Sequence, residues 1–130
     1  MDAAELRAKA LAARRFEYIE GEWKFTLQTP TRREAMHIAH ERGIRMDDEH
    51  VATSAAALLS YAIAESCIVG WTNLRERDVL SGGGDAPLPW SVDMVQLWID
   101  AHHQAALRIG QLLLLKSSAR AEALEADVKN

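Results

Sequence analysis

Between Ile68 and Trp98 the chain places three of its four tryptophans (Trp71, Trp90, Trp98), two of its three prolines (Pro87, Pro89) and the run Gly82-Gly83-Gly84. Large aromatic rings need a core to enter, whereas a glycine run and two prolines forbid one continuous helix. The sequence on both sides is apolar and helical in pattern. The stretch therefore reads as a helix–loop–helix elbow. One helix stops at Gly70, a polar loop spans Thr72 to Pro89, and a second helix opens after a Ser91 cap. Gly70, Trp71, Pro89, Trp90, Ser91 and Trp98 make its structural corner. Trp71, Leu88, Trp90 and Trp98 are expected in one packed cluster.

The helix leading into the elbow starts at Met46-Asp47-Asp48-Glu49, with acidic residues at the favourable end of the macrodipole. It continues through Val51, Leu58, Leu59 and Ile63 to about Val69. Between Ala55 and Ile63 it is apolar on nearly all faces, as a buried central helix is. After the elbow, Val95, Leu97, Trp98 and Ile99 mark a fourth helix and His102-His103 a bend. The pattern resumes from Ala105 to Leu115, where Leu112–Leu115 is apolar all round for one turn. Ala is abundant throughout, which lets helices approach closely.

Upstream, Asp2 caps a helix from Ala3 to about Arg15 with a thin stripe of Leu6, Ala10 and Leu11. Trp23, Phe25 and Leu27 then alternate with Lys24, Thr26 and Gln28, the period of a strand. Phe16–Ile19 reads as its partner across a Glu20-Gly21 turn. A lone hairpin is marginal in water, so it must pack on the helices or extend a sheet across a subunit boundary. Thr31-Arg32-Arg33-Glu34 is a capping box for a helix that ends at Arg42-Gly43. The expected fold is mainly α: a compact bundle of four to five helices with a short N-terminal β-hairpin. It forms a single domain over residues 1–130, with 1–15 and 117–130 expected to be mobile.

The chain has 130 residues and a net charge of −4, which disfavours nucleic acid as the main partner because phosphate neutralisation needs a basic surface. No apolar run reaches the length of a membrane span. The single Cys67 cannot form an internal disulfide, which favours a reducing cytoplasm. His37 and His40 lie three apart but lack a third ligand, and His102-His103 point apart on a helix. Gly82-Gly83-Gly84 is followed by Asp-Ala-Pro rather than Lys-Ser/Thr, so it is no phosphate loop. Glu65 interrupts an apolar helix and is expected to pair with an arginine such as Arg75 or Arg77, or to reach solvent. No catalytic, metal-binding or cofactor-binding residue is expected, and no cofactor. Leu6, Leu11, Trp23, Phe25, Leu112, Leu113 and Leu115 are the candidate partner-binding residues. Homo-oligomerisation is expected through one of these surfaces, with the Trp23–Leu27 strand edge as a second candidate contact.

The order of these features resembles the tail assembly chaperones of long-tailed bacteriophages. The similarity covers residues of about 16–115. It comprises the extended Trp23–Leu27, the Pro-led helix after it, and the apolar helix ending Ile-Val-Gly-Trp-Thr-Asn-Leu. A polar loop follows, then Leu-Pro-Trp-Ser-Val-Asp opening the next helix. The resemblance implies a small helical protein acting in the cytoplasm of an infected bacterial host. It would bind the tape measure protein, recruit tail tube subunits and be absent from the finished tail. Two other classes are open. One is another phage structural (head or tail) protein or a small host-defence inhibitor. The other is a small enzyme or ligand-binding domain that uses a Trp71/Trp90 pocket with Glu65 as polar anchor.

Overall fold

The alternation around Trp23 forms the hairpin that a period of two requires. In the computed structural model, which describes residues 1–45 and 53–129, β1 (Arg15–Glu20) and β2 (Trp23–Gln28) pair antiparallel, Arg15 opposite Gln28 and Glu20 opposite Trp23. Gly21 takes φ +60° at the first turn position, where two-residue hairpins of type II′ place glycine because a Cβ is strained there. Phe16, Tyr18, Trp23, Phe25 and Leu27 share one face. Arg15, Glu17, Lys24, Thr26 and Gln28 share the other and face solvent with Ile19.

The third strand corrects the elbow. α3 (Thr53–Cys67) passes without a loop into β3 (Ile68–Thr72), which pairs antiparallel with β2 to give the order β1-β2-β3. Gly70 therefore does not stop a helix. It is a strand residue opposite Thr26, and Trp71 lies opposite Phe25. The physical reason is twofold. Ile68, Val69, Trp71 and Thr72 are β-branched or aromatic, and β2 would otherwise leave a row of amides unpaired. A bulge at Thr26/Leu27 brings Ile68 opposite Leu27. The extra residue turns Ile68 to the same inner face as Trp71, where strict alternation would have turned it outward.

The mainly helical expectation holds. The described residues contain α1 (Ala3–Ala13), α2 (Arg32–Glu41), α3, α4 (Val92–Ala101) and α5 (His103–Lys129), plus a single 3-10 turn at Glu76–Asp78. The caps are those the sequence specifies. Asp2 accepts from the Glu5 amide, Thr31 and Glu34 form a capping box, and Ser91 accepts from the Met94 amide. Gly43 closes the turn after α2 at φ +68°. The helix start expected at Met46–Glu49 lies outside the described residues. The bend at His102-His103 is present, because His102 leaves the helical region as C-cap of α4. α5 continues as helix to Lys129, so residues 117–129 extend the helix rather than lose it.

The helices cover the inner face of the sheet. Phe25, Leu27 and Ile68 join Ile63, Trp98 and Ile109 in one core. α5 runs alongside β1: Arg108 pairs with Glu20, and Lys116 sits 4.4 Å from the centre of the Phe16 ring. Eight residues of helix rise ~12 Å and four residues of strand ~13 Å, so the two elements lie antiparallel in step. α3 and α5 meet at a very close crossing. A Cβ on Gly110 would stand 2.0 Å from the Ser60 carbonyl oxygen. Ser60 is buried there with its hydroxyl donating back to Ala56 O (3.0 Å), so no polar atom is stranded at the crossing.

Candidate functional site

The tryptophan corner is a structural tie rather than a cavity. Trp71 Nε1 donates to Leu88 O (2.8 Å) and Trp90 Nε1 donates to Ile68 O (3.0 Å). The two indoles thus stitch the 86–90 segment to β3. The same segment continues the pairing upstream: Leu88 N donates to Leu74 O (2.8 Å), Glu76 N donates to Ala86 O (3.0 Å), and Arg75 bridges Pro87. The expected four-residue cluster is only partly formed. Trp98 is fully buried and Trp71 half-buried, but Trp90 is 40% exposed at the rim. The rings that gather are Trp23, Phe25, Trp71, Trp98 and His102. Phe25 and Trp98 are 4.8 Å apart between centroids, and Trp23 and His102 4.6 Å apart. His102 Nε2 lies 2.6 Å from Asp78 O. A carbonyl only accepts, so that nitrogen carries the proton, and the ring pins the 3-10 turn to the aromatic cluster.

Corner and hairpin together decide which sheet edge is available. Glu20 and Trp23 flank a two-residue turn as a bonded pair, and Thr29 N donates to Arg14 O (2.8 Å) at the other end. The alternation of an antiparallel ladder then directs the amides and carbonyls of Arg15, Glu17 and Ile19 away from β2. β2 is paired on both sides, which overturns the expected Trp23–Leu27 contact edge. The 86–90 segment lies against the outer side of β3 through the two indole bonds. Among the described residues the edge with no neighbouring segment belongs to β1, where Ile19 is 67% exposed.

The candidate partner residues separate into two groups. Phe25 and Leu113 are fully buried in the core, because the sheet closed over one and the α3 crossing over the other. Neither is available to a partner in this arrangement. Trp23 is half-buried in the aromatic cluster, and Leu112 is half-buried on α5. Leu6, Leu11 and Leu115 are exposed, Leu115 to 70%. α1 has no buried residue at all. Further along α5, Leu124 and Val128 are also exposed. Between α2 and α5 lies a groove lined by Arg32, Ala35, Leu114, Ser117, Glu122 and Glu125. Arg32, unfavourably placed in the first turn of α2, thus shares that groove with two carboxylates.

The titratable groups serve the fold. Cys67 is buried, and burial pushes its thiol up to about 12, with Glu34 adding to the shift and Arg14 opposing it. Glu65 pairs with Arg42 (3.0 Å) and accepts from Gln96 (2.6 Å), rather than meeting Arg75 or Arg77. Those two arginines face Asp85 instead. Partial burial alone would raise the Glu20 carboxyl, but hydrogen bonds from Tyr18 and Arg108 and the Arg108 charge outweigh it and hold it below its ordinary value. Glu34 is likewise lowered despite partial burial, by the Thr31 backbone, Arg14 and the Thr31 hydroxyl. His37 pairs with Glu41 (3.1 Å). Among the described residues no three His, Cys, Asp or Glu side chains gather as a metal site requires, and no helix is long and apolar enough to cross a membrane. Sequence reasoning missed the open β1 edge, the Gly110 crossing and the role of His102. The exposed Arg-x-Glu-x-Ile face of β1 was the one available signal for the first. The chain matches no protein-family model, no curated protein and no solved structure.

Proposed function

We propose that this protein is an assembly chaperone that holds a long helical client, in the manner of the phage tail assembly chaperones its sequence resembles. The client would be the tape measure protein, to which it recruits tail tube subunits in the cytoplasm of an infected bacterial host. The observation that carries this reading is α1: an eleven-residue helix none of whose residues is buried. A helix of that length is marginal in water unless it packs on something. Its Leu6 and Leu11, with Leu115, Leu124 and Val128 on α5, offer separate apolar anchors on helical surfaces. An amphipathic client helix docks on such anchors at i, i+3 and i+4 spacing. Scattered anchors suit transient holding, since they bind without presenting one large sticky patch. The role involves no bond-making chemistry and no cofactor, and the chain is expected to act as a homo-oligomer.

The test is co-expression with the tape measure and tail tube proteins of the same genome, followed by co-purification. Retention of the tape measure protein is expected, little weakened between low and moderate salt because apolar anchors dominate. Leu6→Asp with Leu11→Asp should abolish it. If neither protein associates while the wild-type chain is found in purified virions, a structural role replaces the chaperone reading.

A further inference from the structure

From the sheet we infer that a second copy of this chain pairs with the open edge of β1, joining two three-stranded sheets into one six-stranded sheet about a two-fold axis. The inference rests on the self-association part of the proposed function and not on the identity of the client.

Along the outer side of β3 the Trp71–Leu88 and Trp90–Ile68 bonds hold the 86–90 segment against the strand. Along β1, among the described residues, the backbone of Arg15, Glu17 and Ile19 points outward with no neighbouring strand or segment. An edge that pairs with its own copy about a two-fold axis closes at two copies, because one contact covers the same edge of both.

The edge sequence selects the register. Outward-facing residues must oppose outward-facing residues, which leaves few antiparallel arrangements. Those with Arg15 opposite Arg15 or Glu17 opposite Glu17 are like-charge clashes. Those with Glu17 opposite Ile19 or Ile19 opposite Ile19 leave the charges without partners. The remaining one puts Arg15 of one copy opposite Glu17 of the other, twice, with Phe16 opposite Phe16 on the axis. That register is charge-complementary and stacks two aromatic rings on the inner face. Among the described residues Arg15 bonds Gln28 and Glu17 pairs with Lys24, both through exposed contacts, so both can turn to a partner.

Sedimentation equilibrium of the full chain over micromolar concentrations tests the proposal without any client. A monomer–dimer equilibrium is expected, with no larger species. Glu17→Pro removes an amide that serves only the free edge, so it should leave far-UV circular dichroism unchanged and weaken the dimer about tenfold or more. Arg15→Glu and Glu17→Arg should each weaken it about tenfold, because each reversal acts twice across the axis. The double reversal should restore it. If Glu17→Pro does not fold, the reversal pair decides alone. A wild-type chain that stays monomeric at ~100 μM, forms an open series of larger species, or is not rescued by the double reversal overturns the proposal. A monomer that still retains its client overturns the dimer and spares the chaperone reading. A rescued dimer with no client does the opposite.

Discussion

A methyl group added at Gly110 would sit 2.0 Å from the Ser60 carbonyl oxygen and 2.6 Å from its carbon. These are backbone atoms of α3 and cannot swing aside. Gly110→Ala gains ~1 kcal/mol of helix propensity, yet it forces the two central helices apart. We expect a net loss of ~2–3 kcal/mol in urea unfolding, and a neutral or stabilising result would mean the helices do not cross there. The tryptophans should divide by burial. Trp98→Ala empties the centre of the core and should cost ~3–5 kcal/mol. Trp90→Ala loses a rim ring and one hydrogen bond to Ile68 O, and should cost only ~1–2 kcal/mol. Equal losses at the two sites would show that Trp90 is buried by something outside this chain. Cys67, with its thiol raised to about 12 by burial, should resist alkylation at mildly alkaline pH until the chain unfolds.

The two ends of the chain behave differently as elements. α5 begins deep in the core and then runs outward to Lys129 with Leu124 and Val128 uncovered. α1 is uncovered throughout, and the fold is secured only from Arg14 onward, where the guanidinium binds Thr29 O (3.0 Å) and Glu34. Removing residues 1–13 should therefore change unfolding free energy by no more than ~0.5 kcal/mol, the scale of surface changes. The same truncation should abolish retention of the tape measure protein. A sharp fall in stability would place α1 against the body, and unchanged client binding would move the docking surface to α5.

At the scale of the whole molecule, two carboxylates join segments far apart in the chain. Glu20 links the hairpin to α5 through Arg108, and Glu34 links α2 to the hairpin base through Arg14. Both are held below their ordinary value of 4.5. A carboxylate with a lowered folded value contributes stability that is complete above 4.5 and disappears as the pH drops through the lower folded value. Unfolding free energy should thus be level from neutrality to about pH 5 with respect to these groups and fall in more acid solution. Glu20→Gln should flatten part of that fall. An identical acid profile in wild type and Glu20→Gln would remove Glu20 from the account.

Local chemistry alone was enough for the helix caps at Asp2, Thr31 and Ser91, the Gly43 stop, the break at His102 and, to within one residue, the hairpin turn, which falls at Gly21-Glu22 rather than Glu20-Gly21. Each depends on groups within four residues of one another, so each is legible in the sequence. The alternation of Trp23, Phe25 and Leu27 likewise determined a strand with one buried face. Ile68–Thr72 was different. Next to an apolar helix and before a polar loop it reads as a helix end. Only the unpaired edge of β2, more than forty residues earlier in the chain, makes it a strand. The same long-range pairing buried Phe25, tied Trp90 to the rim rather than the core, and moved the open edge from β2 to β1. Which apolar residues remain exposed is likewise a property of the assembled sheet and helices. Leu113 and Leu115 are alike in sequence, and only the crossing at Gly110 sends one into the core and leaves the other in solvent.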